Sequence, residues 1–194
     1  MRGTSIECSD FFSLFGFPKH PSINLSTLES RYYELTRQFH PDFYQKKSKE
    51  EQEASLRSTA LITTAYRTLK DPVERGRYWL ELQGVQLSHD NSQVPQDFAE
   101  EAFEVFDALR RWKTLSSQDR AHLLDSLHNT REGLEERMKE DIKRLEDNFS
   151  RWPASGIPAG PVGDAPLLTE LREILSRISY LSSLAQNIEK TLQI

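Results

Sequence analysis

The sequence has almost no cysteine and no long apolar run. Cys8 is the single cysteine among 194 residues, which excludes an internal disulfide and a cysteine-cluster metal site. No apolar stretch approaches the twenty or so residues that span a bilayer, and no basic-then-apolar leader opens the sequence. We therefore expect a cytoplasmic protein with neither a membrane span nor a secretory signal.

Motifs of the common catalytic and nucleotide-binding sites are also missing. The sequence contains no G-x-x-x-x-G-K-[ST] phosphate loop, no G-x-G-x-x-G and no G-x-S-x-G. The histidines other than His40 lie at no metal-ligand spacing such as i, i+4, and His40 with Asp42 gives too few ligands for a zinc site. We expect no catalysis by the chain itself, no metal and no cofactor.

Charged residues of both signs are abundant, but they are divided unevenly along the chain. The formal net charge of −5 argues against non-specific binding to nucleic acid, which needs concentrated lysine and arginine. Residues 1–84 hold 12 Lys+Arg against 11 Asp+Glu, a net of +1, whereas residues 85–194 hold 13 against 19, a net of −6. This asymmetry predicts different partners for the two halves.

The stretch 24–71 predicts two amphipathic helices separated by a short loop. Asn24 can cap the first helix, and Pro41 ends it because proline lacks an amide donor and disfavours helical geometry in the residue before it. Helices joined by a short loop lie antiparallel, so the tripeptide His40-Pro41-Asp42 is expected at the exposed end of a hairpin. The apolar positions recur at helical spacing and are Leu25, Leu28, Tyr32, Leu35 and Phe39, then Ala54, Ser58, Leu61, Ile62, Ala65 and Leu69.

The remaining pattern is helical throughout, with no sign of a strand or an internal repeat. We expect a short helix from Asp10 to Phe15, a helix after Pro72 that stops at Gly84, and three long amphipathic helices in the second half. The first of these three has Phe98, Ala102, Val105, Phe106 and Leu109 on its predicted buried face, and Phe103 away from that face. The predicted fold class is all-α, with an N-terminal helical unit over 1–84, a linker over 85–96, an antiparallel three-helix bundle over 97–194 and a Pro/Gly-rich loop over 150–166.

The residues around the tripeptide resemble the J-domain of DnaJ-like co-chaperones. The pattern L-x-x-x-Y-x-x-L-x-R-x-x-H-P-D occupies residues 28–42, and A-Y-x-x-L-x-D-P occupies residues 65–72. The segments 10–18 and 71–84 look like the HscB branch of this family, the co-chaperones of iron–sulfur cluster assembly. The resemblance implies a J-domain joined to a three-helix bundle in an L-like arrangement.

The resemblance also implies a partner for the tripeptide. J-domains bind a DnaK-type ATPase chaperone, which in the HscB branch is HscA, and accelerate its ATP hydrolysis. Asp42 offers a carboxylate to an arginine of the partner, and Arg31 and Arg37 supply steering charge. Phe43 stands where lysine or arginine is common in the family. The expected chaperone-binding residues are His40, Pro41, Asp42, Arg31, Arg37 and Gln38.

A second candidate site lies on the helix predicted over 97–112. Glu100, Phe103, Glu104 and Asp107 share one face, and the residues alone fit an ordinary solvated face with one exposed aromatic. The resemblance implies instead that this face holds an IscU-type iron–sulfur scaffold protein, with Tyr180 of the last helix as a second aromatic contact. Two alternatives stay open, namely a co-chaperone with a different client and a structural helical assembly protein with no ATPase partner.

Overall fold

The computed structural model describes residues 6, 8–85, 98–112, 114–153 and 166–192. Within these ranges the chain is helical and contains no strand, which confirms the all-α class. The expected linker, except Val85, and most of the expected 150–166 loop lie outside the described residues. The helices are α1 (Phe11–Leu14), α2 (Leu25–Phe39), a 3₁₀ helix (Pro41–Tyr44), α3 (Lys49–Lys70), α4 (Pro72–Leu82), α5 (Ala99–Trp112), α6 (Ser117–Ser150) and α7 (Pro166–Leu192).

The helix ends of the first half are set by local sequence signals. The side chain of Asn24 accepts a hydrogen bond from the Thr27 amide, as predicted. The Asp71 carboxylate accepts from the amides of Val73 and Glu74 at the start of α4. Gly84 has φ +74° just after α4, a backbone conformation that favours glycine and ends the helix. These caps place the hairpin and α4 where the sequence predicts them.

The aromatic residues of α5 correct one expectation. Ala102, Val105 and Leu109 are buried, as predicted, and Phe103 is 72% exposed. Phe106, however, is 52% exposed, so its prediction as a buried residue is wrong. The buried stripe of α5 is narrow, and Phe106 lies at its edge on the side of Phe103.

The buried side chains form two clusters that run across the predicted boundary between the halves. The first cluster combines α1 to α4 with the C-terminal end of α6 and the N-terminal half of α7. The second combines α5 with the rest of α6 and α7. The N-terminal helices therefore share their core with one end of the bundle, and the division of the chain at residues 84 and 97 stays a prediction.

The packing of α4 against the bundle is close and includes a buried charge. The rings of Trp79 and Trp152 meet edge to face, with their centroids 5.2 Å apart. Arg75 is 4% exposed; its guanidinium donates to the Leu69 carbonyl at 2.7 Å and lies 5.0 Å from the centre of the Phe149 ring. Burial lowers the pKa of Arg75 below its ordinary value. The surface of α4 that faces the bundle is thus a fully formed interior.

Gly76 permits this close packing, and two matched exchanges test it. A Cβ on Gly76 would lie 3.3 Å from side-chain carbons of Leu175 and Phe149, whereas a Cβ on Gly133 of α6 would meet nothing within 4 Å. Gly133→Ala should raise the free energy of unfolding by about 0.5–1 kcal/mol, because alanine has the higher helix propensity. Gly76→Ala should raise the free energy of unfolding by less than Gly133→Ala, because the new methyl group is crowded against α6 and α7. Chemical denaturation measures both, and equal gains would contradict the crowded packing.

Candidate functional site

Two hydrogen bonds connect the end of α2, just before the tripeptide, to α3. The carbonyl of Phe39, the last residue of α2, accepts hydrogen bonds from the hydroxyls of Ser55 at 2.7 Å and Thr59 at 3.0 Å. Ser55 is fully buried, so this anchor lies inside the hairpin. The turn that follows therefore starts from a fixed point.

The tripeptide itself forms a compact turn whose acidic side chain faces solvent. His40 is extended, with φ −61° and ψ 130°, as a residue before proline must be. Its Nδ1 accepts from the Asp42 amide at 3.3 Å, and its carbonyl accepts from the Phe43 amide at 3.0 Å. The Asp42 side chain is 70% exposed, with one side-chain donor, Gln45 Nε2, at 3.3 Å. The carboxylate can therefore accept hydrogen bonds from a partner.

His40 and Asp42 also lie close enough to form an ion pair. The distance from His40 Nδ1 to the Asp42 carboxylate is 3.4 Å. The His40 ring stabilises the turn through its contact with the Asp42 amide. The Asp42 carboxylate remains exposed to solvent and accessible to a partner.

The structure groups five of the six predicted chaperone-binding residues and sets one apart. Arg37 and Gln38 are exposed on the last turn of α2, beside the tripeptide. Arg31 is half-buried; its guanidinium donates to the Phe15 carbonyl and lies 4.6 Å from the centre of the Phe17 ring. These contacts hold the α1–α2 connection onto α2, and they favour a structural role for Arg31.

The second predicted site contains two exposed aromatic residues, of which the sequence predicted only one. Glu100, Phe103 and Glu104 are exposed on α5, as predicted. Asp107 is half-buried and pairs with Arg110 at 2.6 Å. Phe106, three residues after Phe103, lies on the same side of the helix, because residues three apart are neighbours on a helix surface. That spacing was the signal that could have identified Phe106.

Tyr180 does not share the surface of α5 with Phe103. It is 9% exposed, and its ring packs against Phe98 with centroids 5.7 Å apart, at the start of α5. Its hydroxyl is buried, and none of the residues that the structure describes forms a hydrogen bond with it. Burial, with a smaller effect of Glu101, raises the pKa of Tyr180 above its ordinary value. Its ring thus lies behind α5, and its role in scaffold binding stays a prediction.

Two negative findings concern the described parts of the chain. Among those residues no group of three or more His, Cys, Asp or Glu side chains could hold a metal ion. None of the helices there combines the length and the apolar character needed to cross a bilayer.

An open cavity of about 460 Å³ lies beside the tip, lined in part by Cys8, Leu35, Gln38 and Phe39. Burial raises the pKa of the Cys8 thiol, which makes it less reactive.

Comparison with known proteins identifies the domain that carries the tip. The model of the DnaJ domain family matches residues 10–78. Co-chaperone protein HscB from Proteus mirabilis is 41% identical over 81 residues, which cover 42% of this chain and 47% of that protein. The HscB homolog from Shewanella oneidensis is 38% identical over 85 residues, covering 44% and 49%. The chain thus aligns with about half the length of these curated relatives.

Solved structures with the same fold extend the likeness to nearly the whole chain. Chaperone HscB from Vibrio cholerae has a TM-score of 0.70 at 22% identity, covering 95% of this chain and 98% of that one. Human co-chaperone protein HscB has a TM-score of 0.66 at 24% identity, covering 98% and 86%. Residues 10–78 therefore form a DnaJ domain, and the chain as a whole has the fold of the HscB co-chaperones.

Proposed function

We propose that this protein is a J-domain co-chaperone of iron–sulfur cluster biogenesis. Its J-domain stimulates ATP hydrolysis by an HscA/DnaK-type chaperone, and its bundle delivers an IscU-type scaffold protein to that chaperone. The observation that carries the proposal is the exposed carboxylate of Asp42, held by His40 and Pro41 on a fixed turn at the tip of a DnaJ domain. The protein acts as an activator of a partner ATPase and hydrolyses nothing itself.

The geometry of the tip suits docking at low entropic cost. The Phe39 carbonyl is held by two hydroxyls of α3, and the Asp42 amide is held by His40. Because the turn is formed before binding, little conformational freedom is lost when a partner covers it. An arginine of the chaperone can then form a charge-assisted hydrogen bond with the carboxylate of Asp42. Arg37, exposed one helical turn away, contributes steering charge.

The exposed face of α5 supports the proposed scaffold site. Phe103 and Phe106 form an apolar pair flanked by Glu100 and Glu104. An exposed aromatic that becomes buried supplies affinity, and the acidic residues around it select a basic partner surface. Tyr180 supports this helix from behind through Phe98, so we assign it an indirect role in scaffold binding.

The shared core supports delivery as the mechanism. Phe149 and Leu175 of the bundle lie in the same buried cluster as Leu28 and Ile62 of the J-domain. The Arg77 guanidinium also donates to the Ser179 hydroxyl at 2.8 Å across the two parts. The scaffold would lie at a fixed position relative to a chaperone docked at the tip. This arrangement raises the effective concentration of the scaffold near the chaperone.

Truncation of the exposed phenylalanine tests the scaffold site. Phe103→Ala should weaken binding of an IscU-type scaffold by about tenfold to a hundredfold, because the apolar anchor of the acidic face is lost. Isothermal titration calorimetry of the full chain with the purified scaffold measures the dissociation constant. The stability of the fold should change by less than about 0.5 kcal/mol, because Phe103 lies on the surface.

A matched control separates this contact from a general loss of exposed apolar area. Leu56 on α3 is 56% exposed and lies in neither candidate site. Leu56→Ala should leave scaffold binding unchanged. Equal dissociation constants for wild type and Phe103→Ala would place the scaffold elsewhere.

The alternative functions differ in two simple assays. A co-chaperone with another client would stimulate a DnaK-type ATPase but would not bind the scaffold, and a structural assembly protein would do neither. The first alternative has one observation in its favour, since the curated relatives align with less than half of this chain. Titrating the protein into a purified HscA-type chaperone, with and without scaffold, distinguishes the three.

A further inference from the structure

Phe43, directly after the tripeptide, is an exposed aromatic that the fold does not use. Its side chain is 69% exposed. The neighbouring Tyr44 turns back onto the helix end, where its hydroxyl donates to the Gln38 carbonyl at 3.4 Å. The 3₁₀ helix thus directs one aromatic ring inward and the other outward. A single exposed ring is common on protein surfaces. Exposure alone therefore does not indicate a binding role for Phe43, whereas its position beside the tripeptide does.

Phe43 lies where a partner of the tripeptide must cover it. Its amide donates to the His40 carbonyl at 3.0 Å, and its ring stands edge-on to the His40 ring, with centroids 6.3 Å apart. It follows Asp42 in a 3₁₀ helix, where the rise per residue is only about 2 Å. A protein surface that binds the Asp42 carboxylate therefore also removes water from this ring. Burial of the ring then adds to the affinity.

The charges around the ring indicate what kind of surface would bind it. Residues 37–47 hold three basic side chains, Arg37, Lys46 and Lys47, against the single acid Asp42. All three basic side chains belong to exposed residues. A complementary surface would have acidic groups at its rim and an apolar cleft for the ring at its centre. A partner lacking that cleft would leave the ring in contact with polar groups.

We propose that Phe43 is an apolar anchor that selects the ATPase partner of this J-domain. The ring inserts into an apolar cleft, bordered by acidic side chains, on the ATP-bound DnaK-type chaperone that receives Asp42. This inference rests on the proposed function and deepens it. The Phe43 ring provides an apolar contact at a position where lysine or arginine is common in the family. A chaperone with a matching cleft is therefore preferred over one that offers only acidic residues.

Three variants test the anchor in a steady-state ATPase assay. Wild type, Phe43→Ala and Phe43→Lys are titrated into a purified HscA-type chaperone with ATP. Phe43→Ala should raise the concentration for half-maximal stimulation by about tenfold to a hundredfold, the range expected for a buried phenylalanine ring. Phe43→Lys should rescue little of this loss. The rate at saturation should stay unchanged, because Asp42 is intact.

The matched control is Leu25→Ala at the other end of α2. Leu25 is 45% exposed and is separated from the tip by the length of the helix. This variant should titrate like wild type. Thermal unfolding of all variants should match wild type, because both replaced side chains are exposed.

The outcomes separate this inference from the proposed function. If wild type stimulates the chaperone and Phe43→Ala titrates identically, the anchor is wrong and the co-chaperone function stands. If Phe43→Lys equals wild type, the position accepts a basic contact and the apolar anchor is overturned. If wild type itself fails to stimulate the ATPase, the proposed function is wrong, and this inference is overturned with it.

Discussion

Asp42→Asn should raise the protein concentration needed for half-maximal stimulation of the chaperone's ATPase by about tenfold to more than a hundredfold. Asparagine keeps the shape of the side chain and can still accept from Gln45, so the turn remains formed. What is lost is the negative charge that faces solvent at the tip. A hydrogen bond to a charged group contributes about 1.5–3 kcal/mol, which corresponds to about tenfold to more than a hundredfold in half-maximal concentration.

A charge-matched control isolates the position of that carboxylate. Glu53 on α3 has an exposed side chain and pairs with Arg57 at 3.4 Å. Glu53→Gln removes the same charge from the same half of the chain, and stimulation should be retained. Circular dichroism should give the same helical content for both variants. An unchanged half-maximal concentration for Asp42→Asn would show that the carboxylate is not the contact.

Trp79→Ala should cause the largest loss of stability and should affect both halves of the chain together. Trp79 is fully buried. Its ring makes edge-to-face contacts with Phe12, at a centroid distance of 5.8 Å, and with Trp152, at 5.2 Å. Removing a large buried side chain costs about 3–5 kcal/mol, a large share of the roughly 5–15 kcal/mol that stabilises a typical domain. Because Trp152 follows α6 and Phe12 lies in α1, the cavity would weaken the J-domain and the bundle at once.

Unfolding curves recorded with two probes test this coupling. Far-ultraviolet circular dichroism follows all helices, and tryptophan fluorescence reports mainly on Trp79, Trp112 and Trp152. For wild type and for Trp79→Phe, which keeps a ring in the core, both probes should give one shared transition. Trp79→Phe also serves if Trp79→Ala fails to fold. Two separated transitions would contradict a common core.

Features determined by neighbouring residues could be predicted from the sequence. The hairpin, the cap at Asn24 and the exposed position of the tripeptide all depend on short-range patterns. Pro41 alone fixes where α2 must end. The exposure of Phe103 followed from its angle on the helix. For these features the local preferences and the fold agree.

Features determined by packing between distant segments could not be predicted. The periodicity of α4 gives no indication that Arg75 is buried against Phe149 or that Gly76 faces Leu175, because both facts depend on how close α4 lies to the bundle. The same holds for Arg31, which the sequence presents as a surface charge and the fold ties to Phe15. The burial of Phe106 was wrongly predicted because an amphipathic pattern does not define the width of a buried stripe.

The most direct test of the delivery mechanism is steady-state ATP hydrolysis by an HscA-type chaperone with this protein and an IscU-type scaffold, added separately and together. We expect the two together to stimulate hydrolysis by more than the product of their separate effects, because α6 and α7 contribute to both buried clusters and so connect the tip to the α5 face. His40→Gln, which removes the ring nitrogen that holds the Asp42 amide, should eliminate this synergy. Stimulation by the protein that is indifferent to the scaffold would contradict the delivery mechanism.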